Sequence, residues 1–162
     1  MERRILRLEI GVLLILVLNI LILSVQISQK HVKKEVKEIA ATKELPIEFN
    51  DNVQKKLLLR ITETYNANDY VGMYGIFSEW AQLQITKETI ENEFKKLIKM
   101  SGKIVNTVYS NYDYIGFESG ADWYYVYYKT KFENAIGTTK IKLRVVGANW
   151  ELVGINMNID EI

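Results

Sequence analysis

The sequence predicts an α+β protein: three N-terminal helices packed on a curved four-stranded antiparallel sheet, preceded by one transmembrane helix. Three observations carry that prediction. The eighteen residues from Ile10 to Ile27 are uncharged and almost all Leu, Ile or Val. Between Val53 and Ile98 apolar residues recur three and four apart, the period of a helix with one buried face. From Ile104 onward β-branched and aromatic residues dominate, punctuated by Gly and Asn at intervals of roughly 10 to 16 residues.

A bilayer core about 30 Å thick is crossed by roughly 20 apolar residues at about 1.5 Å rise each. Ile5 to Ile27 supplies that length if Arg7 and Glu9 reach back toward the headgroups. A basic start before an apolar run also suits a secretory signal. Here, however, Ser24-Val25-Gln26-Ile27-Ser28 offers no pair of small residues in A-x-A spacing, and the run is longer than a signal peptide needs. Residues 1–28 are therefore read as a retained anchor. Arg3, Arg4, Arg7 and the α-amino group on one side nearly balance Lys30, Lys33, Lys34 and Lys37 on the other. A short positive N-terminus ordinarily stays inside while the following domain is carried across, so the expected location is the cell inner membrane, single-pass, with an extracytoplasmic C-terminal domain.

Residues 29–49 form a charged juxtamembrane stalk and linker. Val32, Val36 and Ile39 have helical spacing but are too few for a coiled coil, and the only proline, Pro46, breaks the chain. The absence of cysteine excludes a lipidated lipoprotein start, a disulfide framework and a thiolate metal site. Of 21 Lys/Arg and 20 Asp/Glu, eight and six precede residue 50, leaving thirteen and fourteen in residues 50–162. That near-neutral balance offers no field for bulk nucleic-acid binding. The remaining length suits one domain with one core.

In that domain Asn50 and Asp51 can cap a first helix with Val53, Leu57, Leu58, Ile61 and Tyr65 inward, ending near Asn66-Ala67-Asn68. Asp69 opens a second, whose buried stripe is Tyr70, Met73, Tyr74, Phe77, Trp80 and Ala81; Gly72 and Gly75 lower its propensity. Thr86 opens a third, with Ile90, Phe94, Leu97 and Ile98 on one side and Gly102 as the stop. Strands are expected near 104–117, 123–132, 138–146 and 150–159, joined by short antiparallel connections. In the third, Ile141, Leu143 and Val145 alternate with Lys140, Lys142 and Arg144, the mark of a sheet with one dry and one wet face.

Three helices followed by a long curling meander is the element order of the nuclear-transport-factor-two-like, or cystatin-like, cone fold. Tyr65 to Phe77 with the turn Asn68-Asp69-Tyr70, Thr86 to Gly102 ending in Ser101-Gly102, Tyr125 to Asn134, and the closing Trp150-Glu151-Leu152-Val153-Gly154 resemble small bacterial domains of unknown function with this fold. The resemblance covers residues 50–162 and rests on caps, turns and core positions, so it speaks to fold rather than activity. It implies either an isomerase- or dehydratase-like enzyme using Asp, His and Tyr in the cone, or a binding or assembly module. Bridging subunits of bacterial secretion systems, with an N-terminal anchor and a domain of this fold, are similar in architecture though longer.

The sequence departs from the enzyme pattern. Its only histidine, His31, lies in the stalk. Asp113 is the strongest candidate base, but strand alternation sends it to the face opposite Tyr112 and Tyr114 unless a bulge intervenes. No phosphate-cradling loop, zinc-ligand cluster or GxSxG elbow is present, so no catalytic residue, metal or cofactor is expected.

Two aromatic groups remain as candidate sites. Tyr65, Tyr74, Trp80, Tyr124 and Tyr128 are candidates to line a cone that takes a small apolar ligand, against the plainer reading that these rings fill the core. On the opposite face, Tyr125, Tyr127, Lys129 and Lys131 lie across a hairpin from Lys140, Lys142 and Arg144, a basic aromatic surface suited to a partner. The expected function is that of a single-pass membrane-anchored, non-enzymatic binding or assembly module, a component of a larger envelope complex. It would act through a protein partner or a second copy, with no nucleic acid. The alternative is a small-ligand carrier or isomerase/dehydratase-like enzyme using the aromatic cone.

Overall fold

The computed structural model describes residues 43–161. The predicted anchor, the stalk up to residue 42 and His31 lie outside the described residues. Among the described residues no helix is long and apolar enough to cross a membrane.

A 3₁₀ turn, Ile47–Phe49, leads into four helices: α1 (Asp51–Asn66), α2 (Tyr70–Tyr74), α3 (Glu79–Gln82) and α4 (Lys87–Ser101). Four strands follow: β1 (Ile104–Glu118), β2 (Ala121–Phe132), β3 (Ile136–Val146) and β4 (Asn149–Glu161). They form one antiparallel sheet in the order β1-β2-β3-β4. The α+β class and the four-stranded meander are as expected.

The expected caps form. Asn50 accepts from the backbone N–H groups of Asn52 and Val53, Asp69 from that of Gly72, and Thr86 from that of Thr89. Each satisfies donors that the first helical turn leaves without partners. Gly102, at φ +76°, ends α4. Two-residue turns join β1 to β2 at Ser119-Gly120, both with positive φ, and β3 to β4 at Gly147-Ala148, where Gly147 has φ +61°. Such turns match the right-handed twist of the strands they connect.

The single helix expected over 70–81 is two short helices. After Tyr74 the chain leaves the helix; the Ser78 N–H donates to the Leu152 carbonyl of β4 at 2.9 Å, and the Ser78 hydroxyl caps the restart at Ala81. This tertiary bond resets the helical phase. Met73, Phe77 and Ala81 remain buried, whereas Trp80, expected in the same stripe, is 39% exposed.

The core lies between the helices and the inward row of the sheet. On β2 the alternating residues Tyr124, Val126, Tyr128, Thr130 and Phe132 are buried, as are Thr139, Ile141, Leu143 and Val145 on β3. Leu57, Ile61 and Tyr65 of α1 and Ile90 and Phe94 of α4 complete it. Polar atoms inside it are paired. Tyr128 donates to Gln54 Oε1 at 2.9 Å while Gln54 Nε2 donates to the Phe49 carbonyl, and the hydroxyls of Thr130 and Thr139 lie 2.7 Å apart. Among the described residues no buried side-chain nitrogen or oxygen lacks a partner.

The start of β1 is closed by one side chain. Asn66, the last residue of α1, accepts from the Ile104 N–H at 2.8 Å and donates to the Ile104 carbonyl at 2.9 Å, in the manner of a neighbouring strand. Asn66→Ala leaves both groups unpaired at a partly buried position and is expected to lower stability by about 1–3 kcal/mol. Asn66→Asp, keeping the acceptor and losing the donor, should fall between. Urea denaturation of the three proteins checks this order.

Candidate functional site

Strand alternation divides β2 into two rows, and the row facing away from the core builds the most organised surface of the domain. Trp123, Tyr125 and Tyr127 lie directly opposite Arg144, Lys142 and Lys140 of β3. Each cation leans diagonally rather than straight across. Lys140 Nζ sits 4.7 Å from the centroid of Tyr125, and Lys142 Nζ sits 4.6 Å from that of Trp123. Arg144 continues the series onto Trp80 at 5.7 Å, and Trp80 meets Trp123 edge-on at 5.5 Å. Diagonal neighbours on one sheet face are within reach of long and aromatic side chains, and a cation over a ring is worth about 0.5–1 kcal/mol at an exposed site.

Acidic groups mark the borders of this surface. Arg144 donates to Glu151 of β4 at 2.8 Å, and the Tyr127 phenol donates to the Asp113 carboxylate of β1 at 3.0 Å. Among the described residues no ion pair involves Lys129, Lys131, Lys140 or Lys142. Lys129 and Lys131 continue the outward row of β2, opposite Thr138 and Ile136, and are exposed.

Of the seven residues expected on a partner face, Tyr125, Tyr127, Lys140, Lys142 and Arg144 interlock, and Lys129 and Lys131 extend the patch. Trp123 belongs with them, as its parity with Tyr125 and Tyr127 implies. Trp80 joins them too, and no sequence signal places it there, because its position follows from the break at Ser78.

The five residues expected around a ligand-binding cone are placed differently. Tyr65, Tyr124 and Tyr128 are fully buried core residues; Tyr65 lies beside Phe94 and Phe132, and its hydroxyl is 3.2 Å from Ser101 Oγ. Tyr74 donates to the Gln82 carbonyl at 3.0 Å, bracing α2 against α3. Trp80 lies on the outward surface. A groove of about 360 Å³ instead runs between α4 and β4, with Phe77, Ile90, Phe94, Leu97, Ile155 and Met157 among its walls. Its carboxylate, Glu93, is exposed and paired with Lys96 at 3.2 Å. Among the described residues no group of three acidic or histidine side chains converges as a metal ion requires.

Asp113 is exposed, and Tyr112 and Tyr114 are half-buried against the core. The irregularities of β1 nearest Asp113 fall between Tyr109 and Asn111 and between Tyr114 and Gly116, so alternation across 112–114 is intact and the carboxylate stays on the outward face. At the far end of the hairpin, Tyr114 donates to Asp122 at 2.8 Å; the same carboxylate receives Lys43 Nζ at 2.6 Å, and Tyr124 donates to the Glu44 carbonyl at 3.1 Å. These contacts strap the first described residues onto the sheet.

Burial, reinforced by the hydrogen bond to Asp113 and its charge, pushes the Tyr127 phenol up to about 12 from an ordinary 10.0. Tyr114 and Tyr124 are likewise pushed to about 12, in both cases first by burial. A phenol held neutral in the folded state binds its proton where the unfolded chain has released it. The stabilisation is complete below pH 10 and is lost as pH rises through about 12. Alkaline unfolding is expected in that window, and Asp113→Asn should lower the Tyr127 transition, as read by ultraviolet tyrosine titration.

No protein-family model and no curated protein matches the sequence. Two solved structures share part of its backbone arrangement. One is a proposed aromatic ring hydroxylase from Novosphingobium aromaticivorans, 14% identical over 74% of this chain and 94% of that one, with a TM-score of 0.44. The other is Bd1075 of Bdellovibrio bacteriovorus, 8% identical over 67% of this chain and 40% of that one, with a TM-score of 0.39. Neither likeness carries a function to this chain.

Proposed function

We propose that the chain is a single-pass membrane-anchored, non-enzymatic binding or assembly module whose outward sheet face receives an acidic protein partner within a larger envelope complex. The observation that carries this reading is the diagonal series of Lys140 on Tyr125, Lys142 on Trp123 and Arg144 on Trp80. A lysine loses rotamer freedom when a partner fixes it, at about 0.5–1.5 kcal/mol per side chain. Cations already resting on rings have lost part of that freedom before contact. With carboxylates only at the borders, the two lysines are left to meet carboxylates of another molecule.

The same geometry disfavours stacked bases. Trp80 and Trp123 are inclined at 65° and Tyr125 and Tyr127 at 59°, so the rings form no flat platform, and ammonium groups occupy two of their faces. A tether confines the domain to a layer beside the bilayer, where a raised effective concentration makes a modest patch sufficient.

A second reading has the groove between α4 and β4 in its favour, since about 360 Å³ lies within the range of small-ligand sites. Its apolar walls suit a carrier of a small apolar ligand. With Glu93 solvated and ion-paired, they suit an isomerase or dehydratase less.

The binding reading is tested by the double variant Lys140→Glu, Lys142→Glu in native membranes. Loss of crosslinked complexes with an unchanged melting temperature is expected, and added salt should weaken the wild-type complex at the same step. An unaltered crosslink pattern removes this face from the function. For topology, a reporter fused after Ile162 is expected to be active only outside the cytoplasm.

A further inference from the structure

We infer that the outer edge of β1 is a strand-addition site for a second copy of this chain, paired antiparallel about a two-fold axis between Ser110 and Asn111. In the order β1-β2-β3-β4 each edge strand is covered at one residue; what sets them apart is exposed large apolar side chains, present on β1 and, among the described residues, absent from β4. On β4 the Leu152 carbonyl accepts from Ser78, and on β1 Asn66 covers Ile104 alone. Beyond Ile104, among the described residues, the one bond from outside the sheet ladder to the β1 backbone is that of the Trp123 indole N–H to the Glu118 carbonyl at 3.1 Å, at the hairpin end.

Unpaired strand edges template further pairing, and proteins usually blunt them with lysine, proline or short length. This strand is fifteen residues long, with no Lys, Arg or Pro from Ile104 to Phe117. Its single charge there, Asp113, is engaged by Tyr127. Five large apolar side chains stand exposed along it: Val105, Val108, Tyr109, Ile115 and Phe117, the last at 69%.

The bulges choose the occupant. The register of β1 against β2 skips between Ile104 and Asn106, Tyr109 and Asn111, and Tyr114 and Gly116, which places the extra residues at Val105, Ser110 and Ile115. Bulges bend and twist a strand, so a flat edge fits this one badly. Counted as the two residues that oppose one, the bulges are Val105-Asn106, Ser110-Asn111 and Ile115-Gly116, symmetric about the midpoint between Ser110 and Asn111. An antiparallel second copy centred there sets Val105-Asn106 against Ile115-Gly116 of the second copy and Ser110 against its Asn111, so every bend meets a matching bend, and the outward backbone groups of Thr107 and Tyr109 meet those of Tyr114 and Tyr112. The flanking charges agree, because the same alignment brings Lys103 of one copy beside Glu118 of the other at both ends. Glu133, whose carboxylate accepts from the Lys103 N–H, is already engaged at that end.

The chain contains no cysteine, so single thiols report the geometry in the full-length protein in its membrane. Under mild oxidation Ser110→Cys is expected to give a covalent dimer. Val105→Cys and Ile115→Cys should each give little alone and a dimer when the two are co-expressed. Ile47→Cys, 82% exposed and far from β1 in sequence, measures random collision. Adding Val108→Lys to Ser110→Cys should cut dimer yield by about tenfold at an unchanged melting temperature, since Val108 is exposed and not part of the core. The inference is overturned if Ser110→Cys dimerises no more than Ile47→Cys. It is equally overturned if Val105→Cys links to itself as well as it links to Ile115→Cys.

Discussion

Strict two-residue alternation on β2 is the constraint on which the rest of the domain depends. Even-numbered residues from Tyr124 to Phe132 are buried, and the odd-numbered residues between Trp123 and Lys131 face outward. A slip of one residue would put three aromatic rings of the outer surface into the core and expose Tyr124, Val126 and Tyr128. The inward row holds α1 and α4 in place. The outward row, read against β3, gives the regular diagonal of rings and cations. One periodicity thus fixes both the stability of the domain and the chemistry it displays.

That periodicity is legible in the sequence, and so are features that depend on it. The caps at Asn50, Asp69 and Thr86, the turn at Ser119-Gly120 and the inward set of β2 follow from local pattern. The outward position of Asp113 follows from alternation alone. The split of the second helix does not, because its cause is a hydrogen bond from Ser78 to a strand more than seventy residues later. Trp80 is displaced with it, from an expected pocket to the outward face. The bulges of β1 are equally hidden, since Val-Tyr-Ser-Asn-Tyr reads as ordinary strand. The α4–β4 groove escapes notice because its walls are apolar positions that periodicity can only describe as core.

The polar interior shows how an aromatic-rich domain avoids the penalty of burying hydroxyls. Tyr65, Tyr128, Thr130 and Thr139 are all buried and all have partners in the protein. Two of the bonds join elements distant in sequence, α1 to the end of α4 and α1 to β2, and the third ties β2 to its neighbour β3. Such bonds add little net energy individually, but leaving one unmade is expensive, and so they select one packing arrangement among the many that apolar rings alone would tolerate.

The strap at the start of the domain has a mechanical corollary. Lys43 is bonded to Asp122 and lies over the Tyr114 ring, while Glu44 receives the Tyr124 hydroxyl. Tension entering through the preceding chain would therefore be delivered to the tip of the β1–β2 hairpin before it reached α1. It would load an ion pair and two phenols in shear, leaving the core helix unstrained until those contacts parted.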